Sequence, residues 1–138
     1  MTAREREREI ETRLKRWRKL QREASIMRYE ESHLLVNINE LNEDEWNRRK
    51  SVKEWVDCIT YAMKWLKEKQ PDIYSLLYGH YRMTMEDGYT KAGAASYSRS
   101  YRTVYHISER EYDNRRYKGL REVAFIATEN GLLNHKTE

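Results

Sequence analysis

The chain has 138 residues, 36% of them charged and 38% apolar, with one proline, five glycines and a formal net charge of +4. That length holds one modest folded unit with an appendage, and so much charge with so few turn-forming residues excludes a β-sandwich or barrel and predicts an all-α protein. The mild total charge does not itself demand a nucleic-acid partner, but its placement is uneven: basic residues dominate both ends while acids outnumber them between residues 31 and 88.

Cys58 stands alone, and no Cys or His pair has zinc-ligand spacing, so no disulfide framework, metal or other cofactor is expected. No apolar run approaches the roughly 18 residues of a membrane span, and the charged N-terminus lacks a signal-peptide core. These features predict a cytoplasmic protein without a membrane partner.

Residues 3–30 carry Ile10, Leu14, Trp17, Leu20, Ala24 and Met27 at spacings of three and four, a narrow apolar stripe on a charged helix. Glu9 with Arg13 and Glu11 with Lys15 add support along it. The stripe needs a cover, which a coiled-coil-like contact provides, within the chain or in a homodimer through this helix; the alternative is a basic arm lying along DNA phosphate. Residues 32–45 show no sustained period and read as a connection. His33 has no accompanying carboxylate or nucleophile motif and reads as a surface or partly buried histidine.

Helical patterning resumes at Trp46 and runs to Gln70, with Val52, Trp55, Val56, Ile59, Met63 and Leu66 as its core face. Ser51 and Glu54 have capping-box spacing, either as a true start or as a mid-helix coincidence. Pro71 stops this helix and opens the next, which reaches to about Met83 and buries Ile73, Leu76, Leu77 and Tyr81. Asp87-Gly88 marks a turn. A further helix ends near Val104, with Tyr97, Tyr101 and Tyr105 as a phenolic stripe. The chain thus divides into a helical region over 1–70, a second unit over 71–127 and a flexible tail over 128–138.

The best-specified boundary comes last. Ser108 and Glu111 form an S-x-x-E capping box, and Ile107 with Tyr112 suits a hydrophobic staple. At 100° per residue, Tyr112, Arg116, Gly119, Leu120 and Val123 share one side of the helix, and Arg110, Asn114, Tyr117, Lys118 and Arg121 the other. Alone, this pattern suits a solvated surface helix as well as a DNA-reading one. Three helices in order, with a sharp turn at 105–107 before the last, make a helix-turn-helix.

The residues His106-Ile107-Ser108-Glu109-Arg110, followed by Tyr112, Arg115-Arg116 and Gly119-Leu120, resemble the recognition helix of sigma-70 region 4-like domains. Leu76-Leu77 and His80-Tyr81 resemble the first helix of that module. With a long helical N-terminal half, the chain is similar to the small phage and prophage late-gene transcription regulators of the RinA/ArpU type, the motifs covering residues 71–127. Tyr101 and Arg102 stand where the family usually has a hydrophobic–alanine pair, and the approach to the turn is longer than usual.

The resemblance implies binding of double-stranded DNA and activation of phage genes through bacterial RNA polymerase. In that setting Arg110, Arg115, Lys118 and Arg121 neutralise phosphates, Asn114 with Arg110 or Tyr117 reaches base edges, and an outward-facing Arg102 meets phosphate. The competing readings are an adaptor that binds polymerase or a phage protein, and a DNA-packaging small subunit. An enzyme is not expected, since there is no phosphate-binding glycine loop, ligand set or nucleophile–base pair.

Overall fold

A computed structural model describes residues 1–133. Six α-helices follow in order: α1 Ala3–Lys15, α2 Trp17–Ser32, α3 Glu43–Lys69, α4 Pro71–His80, α5 Lys91–Tyr105 and α6 Glu109–Glu129, with one 3-10 turn at Ile38–Glu40. There is no strand among the described residues, and no helix among them is long and apolar enough to cross a membrane. The protein is all-α.

Thr2 opens α1 with a full capping box: its hydroxyl accepts from the Glu5 N–H, and the Glu5 carboxylate accepts from the Thr2 N–H, each at 3.1 Å. Residues 3–30 are not one helix, because Arg16 leaves helical geometry at φ −107° and ψ 16°. The expected stripe is nonetheless what is buried, at Ile10, Leu14, Trp17, Ala24 and Met27. Its cover comes from within the chain, with α1 lying on α6 and α2 on α3.

Asn42 caps α3, its side-chain oxygen accepting from the Glu45 N–H at 2.8 Å. Glu43, Asp44 and Glu45 fill the first turn, where negative charge suits the helix dipole. Ser51 and Glu54 therefore lie inside this helix and start nothing. Near its beginning Arg49 is buried and held by Glu45, Glu30 and Glu31, while Lys53 pairs with Glu31 at 2.5 Å. This ion cluster fastens α2 to α3.

Pro71 opens α4 as its spacing predicts, but the helix stops at His80, short of Met83. Arg82 takes a left-handed conformation, φ 49°, and its guanidinium donates to the Gly88 carbonyl and the Asp87 carboxylate, each at 2.8 Å. The loop this makes still buries Tyr81 and Met83. Against α4 lies α5, started by Thr90, whose hydroxyl accepts from the Gly93 N–H. The two helices meet at Gly79, where a Cβ would stand 2.0 Å from the Tyr97 ring. Tyr97 and Tyr101 donate to the Ser75 and Asp72 carbonyls at 2.7 and 3.2 Å, so the phenolic stripe rests on the backbone of α4.

Helix α6 lies against α1, α3, α4 and α5 at once, burying Tyr112, Gly119, Leu120, Val123, Ala124 and Ala127. Thr128 and Leu133 are also buried while residues 129–131 are exposed, so the expected tail is held to the core at those two side chains; residues 134–138 lie outside the described residues.

Candidate nucleic-acid interface

The entry to α6 is built locally. His106 closes α5 in the left-handed conformation at φ 55°, Ile107 is half-buried against the core, and the Ser108 hydroxyl accepts from the Glu111 N–H at 3.1 Å. The Glu111 carboxylate does not complete a reciprocal box; it accepts from Arg115 Nε at 3.4 Å.

Arg110, Asn114, Lys118 and Arg121 all lie on the solvent side of α6, followed by Phe125, which is 64% exposed. At 100° per residue they fall within an arc of roughly 80°. Arg121 reaches back toward α1, 3.8 Å from Glu7, with over half its side chain in solvent. Arg110 and Lys118 form no salt bridge among the described residues.

Arg115 is placed differently. Its Nη1 donates to the Tyr101 hydroxyl at 3.2 Å, it stands 4.0 Å from Asp72, and its guanidinium lies 5.5 Å from the centre of the Tyr105 ring. It joins α4, α5 and α6. Tyr117 stands under the Arg116 guanidinium at 4.6 Å and lines a groove of about 350 Å³ between α1 and α6 together with Asn114 and Arg121. Arg102, on α5, is half-buried and folds back along its own helix, its Nε donating to the Ser98 carbonyl and hydroxyl at 3.3 and 3.2 Å. Of the seven candidates, Arg110, Asn114, Tyr117, Lys118 and Arg121 share one exposed face of α6, and Arg102 and Arg115 do not join it.

Beneath that face is a polar joint. Arg116 donates to the Glu11 carboxylate at 2.6 Å and to the Tyr81 hydroxyl at 3.0 Å, while Tyr81 donates to the same carboxylate. Burial pushes the Tyr81 phenol well above its ordinary range. Beside it His80 Nδ1 and the Tyr112 hydroxyl share a hydrogen bond of 2.7 Å. Burial, and then the Arg116 charge, lower the pKa of His80 to about 4, so this imidazole is neutral near pH 7.

The period of the last helix places Arg116 on the packing side, but its partner lies 105 positions away and leaves no local mark. Arg4 and Arg8, on the α1 wall of the groove, have the same character: their role depends on which helix lies beside them. Among the described residues no group of three or more His, Cys, Asp or Glu is placed to hold a metal ion. The exposed face of α6 offers cationic donors and one amide. Comparison with protein-family models, with curated proteins and with solved structures finds no match for this chain.

Proposed function

We propose that this protein is a sequence-specific DNA-binding transcription regulator in which α5, the turn at 106–108 and α6 act as a helix-turn-helix. The supporting observation is the exposed stripe Arg110, Asn114, Lys118 and Arg121 on a helix whose opposite side is fixed by four neighbours. In this reading the N-terminal half of α6 enters the major groove. Arg110, Lys118 and Arg121 neutralise phosphate, and Asn114, with Arg110, contacts base edges; Asn pairs bidentately with adenine and Arg with guanine. Arg115 acts one step back, by holding α6 to α4 and α5. Activation of phage or prophage genes through bacterial RNA polymerase rests on the sequence resemblance.

Retardation of duplex DNA fragments tests this reading. Binding is expected, with log affinity falling linearly with log salt. Lack of retardation at low salt by a protein of unchanged helicity would overturn it.

An adaptor that binds another protein is the second reading. It is favoured by the exposed apolar side chains at one end of the α2–α3 pair, Ile26, Tyr29, Leu34, Leu35 and Trp46. Co-purification with polymerase in the absence of DNA binding would select it. The apolar stripe of α1 is covered by its own chain and offers no free face to a second copy.

A further inference from the structure

We infer that α1 is a second wall of the nucleic-acid surface, with Arg4 and Arg8 gripping the phosphate backbone that borders the groove occupied by α6. This rests on the DNA-binding reading of α6 and extends it to a helix outside the helix-turn-helix.

The placement follows from two contacts. Glu11 pairs with Arg116 and Glu7 with Arg121, so residue numbers rise along α1 as they fall along α6: the two helices lie antiparallel, side by side. Arg4 and Arg8, one turn apart, stand on the α1 wall of the groove whose other wall holds Asn114 and Arg121. Both arginines are exposed, and neither makes a salt bridge among the described residues.

The two acids lining the same groove do not cancel this charge. Glu11 is taken up by Arg116 and Tyr81, and Glu7 is largely buried and faces Arg121. What remains at the groove is positive on both walls, Arg4 and Arg8 on α1 and Arg121 on α6.

Dimensions determine what α1 meets. The major groove is about 12 Å wide, and one helix with its side chains, about 10–12 Å across, fills it. A neighbour packed at an interaxial distance of about 8–10 Å cannot enter the same groove. It rides over the sugar–phosphate rim, where guanidinium groups bind phosphate oxygens without reading sequence.

The test is the salt dependence of duplex binding by the full chain and two double variants, Arg4→Ala with Arg8→Ala, and Arg4→Lys with Arg8→Lys, each checked for unchanged helicity. Removing two phosphate contacts is expected to flatten the slope of log affinity against log salt by about 1.8. The alanine pair should weaken binding to unrelated and preferred duplexes by the same factor, and the lysine pair should keep the wild-type slope. A wild-type slope in the alanine pair overturns the inference and leaves the α6 reading standing. So does an equal loss of slope in both pairs, since the effect is then not one of charge. No binding by the wild-type protein overturns the α6 reading, and this inference with it.

Discussion

Arg115 and Arg116 are adjacent cations, and each is spent on holding helices together. Arg116 is the more buried, its side chain 12% exposed, and Glu11 is its main counter-charge. Replacing Glu11 by Ala removes the carboxylate that this cation and the Tyr81 hydroxyl share, and should destabilise the protein by about 3 kcal/mol in urea unfolding. His80 gives a pH signature. Its folded pKa of about 4 lies below its ordinary 6.5, so the unfolded chain takes up the proton first and stability falls as pH drops through that window. The fall amounts to roughly 3 kcal/mol at most. His80→Gln should flatten the curve between pH 6.5 and 4, whereas Glu45, held at about 2 by Arg48 and Arg49, loses its contribution only at lower pH. On the exposed face, Asn114→Ala should change which sequences are preferred, and Lys118→Ala should weaken all of them alike, as read by competition between duplexes. The period of one helix is enough to divide these side chains into packing and exposed sets. It does not reveal that Arg115 sits between Tyr101 and Asp72, because that depends on how α4 and α5 are folded.

At the scale of elements, boundaries set by local chemistry are legible, the ends near Gln70 and Val104 as well as the starts at Pro71 and Ser108. Ser108, Pro71 and the apolar repeat of α3 each act within one or two turns, where neighbouring residues determine the outcome. Ser108→Ala should cost about 1 kcal/mol of stability, measured by thermal or urea unfolding. The end of α4 is different: Tyr81 and Met83 are buried at positions that extend an apolar repeat, yet Arg82 has turned the chain by bonding residues five and six positions ahead. Gly119 is legible as a place of close approach, and the neighbours prove to be Ile73 and Leu77 of α4, each 2.8 Å from where a Cβ would stand. Gly119→Ala raises helix propensity by about 1 kcal/mol but forces two buried side chains aside. The net effect should be a loss of about 1–2 kcal/mol in urea unfolding.

At the scale of the whole molecule, the expected division at residue 70 falls between α3 and α4, and packing crosses it. Both α1 and α3 pack on α6, so the second unit owes part of its core to the first. A fragment beginning at Pro71 lacks the cover for Leu120, Val123, Ala124 and Ala127 and should show much less helicity per residue than the full chain by circular dichroism. All-α character was legible from composition, and the covered stripe from spacing; which helix covers it was not, since antiparallel packing over such a separation leaves no periodic trace. The pairing of α1 with α6 also sets an order in time. During synthesis, at roughly 5–20 residues per second, Glu11 emerges some 5–20 s before Arg116. Through that interval Ile10 and Leu14 are uncovered beside a row of arginines, so the nascent chain is at its most vulnerable to proteases and to stray polyanions before its last helix appears.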